Sequence, residues 1–340
     1  MTPRPIEIIG GGLAGLALGC ALRRAGVPAT LHEAGDYPRH RVCGEFVTGL
    51  GDDTVARLGL APAFAGALTH RRVAWTYRDG APRLQTLPSP ALALSRFALD
   101  ARLAATFSEL GGELRTRSRV AATDARAGRV FATGRRRATA SPWIGLKVHA
   151  RGLAPAHDLE MHLGDHCYAG LSRVEGGAVN VCGLFRRGLA TGSGPTLLLQ
   201  SLRAAGLEAL ARRLARAEID AGSFCAVAAL GFAHTAEAED RFCVGDAIGM
   251  LPPFTGNGMA AALQGAELAL EPLLAYARGL VTWPDAVRAG RTAQRRKFRR
   301  RFASAAILHP FLLHPWGQRC FAALGRARLL PFRPLYAALH

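Results

Sequence analysis

The chain contains almost no lysine, since Lys147 and Lys297 are the only lysines among its 43 basic residues. Its seven cysteines are scattered, odd in number and without a CxxC pair, and its 11 histidines form no HExxH motif. These absences argue against a disulfide framework and a zinc site, so we expect a cytoplasmic protein without a bound metal. No apolar run reaches about 18 residues, so no membrane-spanning helix is predicted.

The charge of the chain is strongly unbalanced, with a formal net charge of +18 over 340 residues. This excess fits either a generally arginine-rich surface or an anionic partner such as a membrane surface, a nucleic acid or a phosphorylated substrate. Nucleic acid is the least expected partner, because no aromatic residues alternate with the basic ones in an RNA-binding pattern. The charge alone does not distinguish an arginine-rich surface from a site for a membrane surface or a phosphorylated substrate.

The N-terminal segment predicts a nucleotide-binding βαβ unit. A β-branched strand from Ile6 to Ile9 leads into Gly10-x-Gly12-x-x-Gly15, and a helix follows to Arg24. Gly10 permits a tight turn, Gly12 lets a pyrophosphate approach the backbone, and Gly15 lets the helix pack closely on the strand. An export signal is the alternative, but Glu7 and three consecutive glycines are unsuited to a signal helix.

The second strand of this unit runs from Val27 to Leu31 and ends at Glu33. A carboxylate about 20 residues beyond the glycine-rich turn accepts hydrogen bonds from a ribose diol in dinucleotide-binding proteins. We therefore predict Glu33 as a ribose ligand.

A second informative segment runs from Gly245 to Leu263, "GDAIGMLPPFTGNGMAAAL". Its pattern predicts a strand ending at Gly245-Asp246, a proline- and glycine-rich loop, and a long helix starting near Gly258. Asp246 would accept hydrogen bonds from a sugar-chain hydroxyl. Gly256, Gly258 and Met259 would present backbone amides at the positive end of the helix.

The remaining segments predict a mostly antiparallel sheet and further helices. Strands are expected at 71–77, 83–87, 117–120, 129–132, at least four times within 143–185, and at 223–232 and 241–244. Helices are expected from about Ser95 to the glycines at 111–112 and over 195–217. Beyond Trp283 we expect a basic helix and then short apolar pieces broken by Pro310, Pro315, Pro331 and Pro334.

Together these segments resemble the FAD-dependent oxidoreductases that include geranylgeranyl reductases, flavin-dependent halogenases and single-component aromatic hydroxylases. Four motifs, spanning about Ile6 to Glu267, carry the resemblance: the GxGxxG unit with Glu33, "YPRHRVCGE" (37–45), "SRFALDARLA" (95–104) and the Gly245–Leu263 segment.

The resemblance implies an α/β fold with a Rossmann-like FAD-binding domain of the glutathione-reductase type, an inserted, mostly antiparallel β-sheet substrate domain, and C-terminal helices. The implied boundaries are 1–70, 95–142 and 235–285 for the FAD-binding domain, 71–94 and 143–234 for the substrate domain, and 286–340 for a basic helical segment.

The resemblance also implies a bound FAD, with NAD(P)H as electron donor. The cofactor-binding residues it implies are Gly10, Gly12, Leu13, Ala14, Gly15, Glu33, Arg41, Cys43, Gly44, Arg96, Gly245, Asp246, Pro252, Gly256, Gly258 and Met259. Cys43 matches a cysteine beside the flavin in the reductase branch and is the one catalytic candidate. His40, His149 and His166 are interpreted as structural.

Two reactions stay open: reduction of a carbon–carbon double bond, or hydroxylation through a flavin hydroperoxide, with an aromatic ring as the specific alternative. The expected substrate is a hydrophobic, isoprenoid or polyketide-like molecule. Halogenation is not expected, because the paired tryptophans of halogenases are missing and Lys147 lies in a different context from their lysine. A protein of another class, which binds membrane surfaces through "RTAQRRKFRRRF" (291–302) and merely retains the flavin fold, is the further alternative.

Overall fold

A computed structural model describes residues 2–121, 124–135, 138, 140–232 and 241–340. Within these ranges the chain forms two sheets and a set of helices that pack against them. The α/β class, the parallel sheet, the mostly antiparallel second sheet and the C-terminal helices are confirmed.

The smaller sheet is parallel throughout its described pairs and has the strand order β13-β7-β1-β2-β6. Its strands are short, and all except the exposed edge strand β6 are mostly buried. They are β1 (Ile6–Ile9), β2 (Ala29–His32), β6 (Glu113–Arg115), β7 (Arg129–Phe131) and β13 (Phe242–Cys243).

The larger sheet has eight strands in the order β12-β8-β11-β10-β9-β4-β5-β3, and only the β4–β9 pair is parallel. Its strands are β3 (Phe46–Val47), β4 (Leu68–Tyr77), β5 (Arg83–Ala93), β8 (Trp143–Arg151), β9 (Leu159–Gly164), β10 (Cys167–Arg173), β11 (Val179–Arg186) and β12 (Glu218–Ala228).

Nine α-helices lie in the described part of the chain. They are α1 (Leu13–Arg24), α2 (Asp52–Leu58), α3 (Arg96–Glu109), α4 (Gly194–Ala204), α5 (Glu208–Ala215), α6 (Gly258–Ala277), α7 (Trp283–Leu313), α8 (Pro315–Arg326) and α9 (Phe332–Leu339). Helix α1 packs against both α3 and α6 beside the parallel sheet, whereas α4 and α5 cover the strands β8 and β12 of the larger one.

Helix α7 is the element that joins the two sheets. Its side chains contact α6 and β13 on one side and β9 and β10 on the other. It starts with a capping box between Thr282 and Asp285 and continues past Pro310 to Leu313. The predicted break at Pro310 was wrong, because the proline falls in the last turn, where buried Leu312 and Leu313 hold the helix in place.

Three other predicted elements differ from the structure. The strand at 117–120 is absent because the chain leaves the sheet after Arg115, and Arg117 adopts a left-handed backbone with φ of 50°. The helix at 195–217 is two helices separated at Gly206, whose φ is +74°. Strand β12 begins at Glu218, before the predicted Ser223, with an irregular register between Asp220 and Cys225.

Two of the predicted domain boundaries cut through elements. Residue 70 lies inside β4, and residue 285 lies inside the first turn of α7. In addition, Phe46–Val47 pairs with β5 in the larger sheet although it falls in the first predicted range. The boundary at residue 234 lies outside the described residues.

Candidate functional site

The glycine-rich turn after β1 has the geometry that a tight strand-to-helix connection requires. Gly10 has a φ of +113°, and a Cβ there would lie 2.2 Å from the carbonyl oxygen of Ala132. A Cβ at Gly15 would lie 2.0 Å from the carbonyl oxygen of Gly10. Both positions therefore exclude any side chain, because backbone atoms stand in the way.

Gly12 differs from these two glycines. It is the N-cap of α1, and a Cβ on it would meet no atom within 4 Å. Gly12 lines a groove of about 700 Å³ together with Leu13 and Ala14. A glycine here keeps space free in the groove rather than avoiding a clash within the protein.

The second glycine-rich segment reaches the same groove. Gly245 and Asp246 follow β13, and Gly256, Gly258 and Met259 come from the start of α6. A Cβ on Gly258 would also meet no atom within 4 Å. The structure thus brings the two motifs, which are more than 230 residues apart in the sequence, to one cavity.

The N-termini of α1 and α6 both open at this groove. Neither helix has a side-chain cap. Within the described residues, the N–H groups of Leu13 to Gly15 and of Gly258 to Ala260 have no acceptor. Two positive helix ends with free amides form a suitable site for anionic groups.

The loop between β2 and β3 forms another wall of the groove, to which it contributes Arg41, Cys43 and Gly44. Two arginines at this wall share one carboxylate, which the sequence analysis missed. Asp100 is fully buried in α3 and accepts two hydrogen bonds from Arg96, at 2.7 and 2.8 Å, and one from Arg41, at 2.8 Å. The i, i+4 spacing of Arg96 and Asp100 on a predicted helix was the signal for this pair.

Glu33 does not line the groove. Its carboxylate is 4% exposed and accepts hydrogen bonds from the N–H groups of Gly11 and Gly35 and from Arg39. Arg41 lies 3.5 Å away. In this structure Glu33 therefore fastens the loop after β2 to the glycine-rich turn, and its role as a ribose ligand stays a prediction. Pro252 is also absent from the groove lining, where Pro253 takes its place.

Asp246 is the one predicted acidic residue that does line the groove, and none of the described hydrogen bonds or ion pairs involves its carboxylate. Burial raises the pKa of this carboxyl to about 6, although Arg96 and Arg135 act in the opposite direction. Asp246 is half-buried, and a carboxylate that faces a cavity in this way is ready to accept hydrogen bonds from a polar ligand.

The raised pKa of Asp246 predicts a pH-dependent stability. Between about pH 4 and pH 6 the folded protein holds a proton that the unfolded chain has released, so the free energy of unfolding falls as pH rises through this window. In the ligand-free protein, Asp246→Asn is expected to raise the free energy of unfolding by roughly 2–3 kcal/mol at about pH 8 and to change it little at about pH 4.

Denaturant unfolding at both pH values measures this difference. Glu271→Gln, which neutralises an exposed carboxylate on α6, is the control and should show no such pH dependence. Equal effects of Asp246→Asn at the two pH values would contradict the assignment.

The far end of the groove is apolar. The larger sheet contributes Met161, Tyr168, Leu184 and Val227, and the loop before α6 contributes Met250 and Leu251. Behind Tyr168, the ring of His309 from α7 stacks on Phe254 with centroids 5.9 Å apart, and burial lowers the pKa of this histidine to about 4. The apolar wall is therefore supported by closely packed rings, of which the His309 imidazole is neutral.

No protein-family model matches this chain, and no curated protein matches its sequence. Solved structures do match its fold. The flavin-dependent brominase Bmp2 is 19% identical, with 98% of this chain and 92% of that chain covered and a TM-score of 0.74. A geranylgeranyl bacteriochlorophyll reductase-like protein from Thermoplasma acidophilum is 14% identical, with 98% and 95% covered and a TM-score of 0.75.

The p-nitrophenol 4-monooxygenase PnpA from Pseudomonas putida DLL-E4 is also 14% identical, with 98% of each chain covered and a TM-score of 0.74. The chain therefore has the fold of these three proteins. The resemblance drawn from the four sequence motifs is thereby confirmed for the architecture of the chain.

The groove has features that fit an FAD. Gly12 and Gly258 keep space open at two helix N-termini without side-chain caps, and Asp246 lines the same groove with a carboxylate that none of the described hydrogen bonds involves. Twelve of the predicted residues line the groove: Gly12, Leu13, Ala14, Arg41, Cys43, Gly44, Arg96, Gly245, Asp246, Gly256, Gly258 and Met259. Gly10 and Gly15 shape the turn from behind.

Cys43, the candidate catalytic residue, lies at the groove beside Arg96. Burial is the main cause that raises the pKa of its thiol, so the thiolate is not the resting form at neutral pH. Its backbone carbonyl accepts a hydrogen bond from Asn180, and its sulfur accepts one from the N–H of Glu45. This environment favours a packing or positioning role over that of a nucleophile.

His40 and His149, interpreted as structural from the sequence, come together beside Cys43, whereas His166 lies in the turn between β9 and β10. Together with Glu45 and Lys147, His40 and His149 form a polar cluster at the side of the groove. The sequence carried one signal for part of it, because Lys147 and His149 alternate on a strand and so share a face of the sheet.

Proposed function

We propose that this protein binds FAD in the groove and acts as an FAD-dependent oxidoreductase on a hydrophobic small molecule. One observation carries the proposal: a single cavity joins two open helix N-termini and the Asp246 carboxylate to an apolar wall formed by the larger sheet. Such a cavity can hold a charged cofactor at one end and an uncharged substrate at the other.

Each end of the groove has a defined role in this proposal. The amides at the start of α1 would bind the diphosphate, and Asp246 would accept hydrogen bonds from sugar-chain hydroxyls. The N-terminus of α6 would face the negative charge of the reduced ring system. When bound, FAD supplies either a hydride for a carbon–carbon double bond or the activation of oxygen for hydroxylation.

The apolar wall supports a hydrophobic substrate of the isoprenoid or polyketide-like class. Its residues offer few hydrogen-bonding groups beyond Tyr168, so binding would rest on buried apolar surface. NAD(P)H is proposed as the external electron donor, because none of the described residues forms a second redox centre.

The absorption spectrum of the purified protein tests the cofactor directly. A yellow protein, or a colourless one that becomes yellow with added FAD and retains it through gel filtration, is the expected result. A protein that fails to retain added FAD would overturn the proposal. Oxidation of NAD(P)H with and without oxygen then separates the two reactions, since strict dependence on oxygen would remove the reductase reading.

We also propose that the protein contacts anionic membranes through an exposed stripe on α7 and α8. Arg296, Arg300, Ile307 and Phe311 follow one another at helical spacing, and Trp316 packs against Phe311 with ring centroids 4.9 Å apart. Ile307 is 75% exposed and Trp316 is 50% exposed. Basic and apolar side chains on one helix face are typical of binding to anionic lipid surfaces. None of the described helices is long and apolar enough to cross a bilayer.

This membrane proposal predicts binding to vesicles of phosphatidylcholine with phosphatidylserine and not to phosphatidylcholine alone. The double variant Ile307→Ser/Trp316→Ser should lose most co-sedimentation, because it removes the two exposed apolar anchors. A matched variant, Leu280→Ser, removes another exposed apolar side chain away from the stripe and should bind normally. Equal binding of both variants would refute the proposed stripe. Truncation is unsuitable as a test because α7 contributes buried Phe298, Ala305 and Leu312 to the core.

A further inference from the structure

Four titratable side chains form a connected cluster at the side of the groove. Lys147 Nζ lies 3.0 Å from His40 Nδ1 and 3.4 Å from Glu45 Oε1. Glu45 Oε2 lies 2.5 Å from His149 Nε2. The side chains come from the loop after β2 and from β8, so the cluster joins two distant parts of the chain.

The cluster is costly to bury, and this points to a use beyond folding. The side chains of Lys147 and Glu45 are both 0% exposed. Glu45 also has a φ of 59°, a left-handed backbone conformation that glutamate seldom adopts. A buried ion pair is seldom more stable than apolar residues of the same size, and strained residues gather at functional sites.

His40 connects this buried cluster to the groove, which it lines. The Lys147 ammonium can only donate, so His40 Nδ1 is the acceptor of their hydrogen bond and the proton of the neutral ring is on Nε2. None of the described hydrogen bonds involves Nε2. The ring stacks on Phe97 with centroids 4.5 Å apart, which fixes its plane.

The same residues do not favour a metal ion. One donor atom each from His40, Glu45 and His149 lies within 4.8 Å of the others, a spacing that a cation could use. However, the ammonium of Lys147 already contacts two of the three. An added cation would face this positive charge at short distance in a buried site.

We propose that His40 is the proton donor to the substrate in the groove and that it forms a proton relay with Lys147, which Glu45, held by His149, positions. This inference rests on the proposed function, in which a carbon–carbon double bond takes a hydride, with its electron pair, from reduced FAD and one proton from the protein. It assigns the source of that proton.

The proton balance is as follows. His40 Nε2–H gives its proton to the substrate carbon that did not receive the hydride, while Lys147 gives a proton to Nδ1. The imidazole remains neutral and Lys147 becomes a neutral amine beside the Glu45 carboxylate. A proton from water then returns to Nε2, and the proton on Nδ1 moves back to Lys147.

The charges around His40 support its role as a neutral proton donor. Burial, Lys147 and His149 lower the pKa of His40 to about 4, against the opposing effect of Glu45 and of Asp220 on β12. The ring is therefore neutral at physiological pH. It donates in its neutral form only because Lys147 can replace the proton on the other nitrogen.

Nuclear magnetic resonance of the flavin-free protein with 15N-labelled histidine tests the relay without any cofactor. The wild type should show His40 as the Nε2–H tautomer, and Lys147→Met should raise its pKa by about 1–2 units, because it removes a neighbouring positive charge. Lys297→Met, which removes the other lysine at an exposed site, should change nothing. If Lys147→Met does not fold, Lys147→Gln removes the same positive charge and keeps a polar side chain at this position. An unchanged His40 titration in the folded variant would overturn the relay.

The transfer itself is measured with the FAD-bound protein, reduced by dithionite and mixed without oxygen with 2-cyclohexen-1-one, whose β-carbon accepts a hydride and whose α-carbon accepts a proton. His40→Gln should slow reoxidation about 100-fold at about pH 7, with flavin content unchanged. His157→Gln, which alters a histidine outside the groove, should react as the wild type does. Equal rates for His40→Gln and the wild type would overturn the proposal. A protein that binds no flavin would refute the proposed function, while the histidine titration would still decide the relay.

Discussion

A Gly12→Val protein is expected to fold normally and to bind flavin much more weakly. The valine side chain would extend from the N-cap of α1 into open groove, where a Cβ meets no protein atom within 4 Å. The fold therefore tolerates it, whereas a diphosphate at the helix end does not. Overfilling a site by a few carbon atoms costs about 1–3 kcal/mol, so flavin affinity should fall by up to about 100-fold.

Gly51→Val is the matched control for this variant. Gly51 is also a helix N-cap with an extended backbone and open space at its Cβ, but it starts α2 and does not line the groove. Flavin absorbance and affinity of this control should equal those of the wild type. A flavin affinity of Gly12→Val protein equal to that of the wild type would show that the glycine-rich turn does not hold the cofactor.

Asp100→Ala is expected to destabilise the protein by about 3–5 kcal/mol, because it leaves two partly buried arginines without the carboxylate that they share. Asp100 is 0% exposed and holds Arg96 and Arg41 at the wall of the groove. The free energy of unfolding from denaturant titration measures the loss. Both guanidinium groups would then be free to shift, so flavin affinity should also decrease.

Glu113→Ala provides the comparison, since Glu113 pairs with Arg115 on the exposed surface. Exposed ion pairs contribute little to stability, so this variant should unfold close to the wild-type midpoint. A similarly small effect of Asp100→Ala would mean that the arginines find other partners, and it would remove Asp100 from the account of the groove.

Local patterns were sufficient to predict the parts of the fold that local physics determines. The β1–α1–β2 unit follows from strand, glycine and helix signals within about 30 residues. The helix after Ser95 is also local, because the Ser95 side chain caps it by accepting the N–H of Ala98. The same holds for the start of α6, where glycines precede an apolar helix.

The remaining features depend on contacts between distant residues, which a single sequence does not display. The spacing of Glu33 predicted a ribose ligand. In the structure its carboxylate accepts hydrogen bonds from Gly11, Gly35 and Arg39. Glu45 and His149 are separated by 104 positions and meet only in the folded chain. Nothing in the local sequence of Glu45 indicates that it is fully buried.

The course of helix α7 has a consequence for how such a protein could change over time. One face of this helix packs against strand β13 of the parallel sheet. The other face supports the apolar wall of the groove through His309, whose ring lies against Tyr168. The two sheets therefore cannot be exchanged as independent modules between related proteins. A new substrate specificity would have to arise by substitutions in the apolar wall of the groove, while helix α7 keeps its contacts with both sheets.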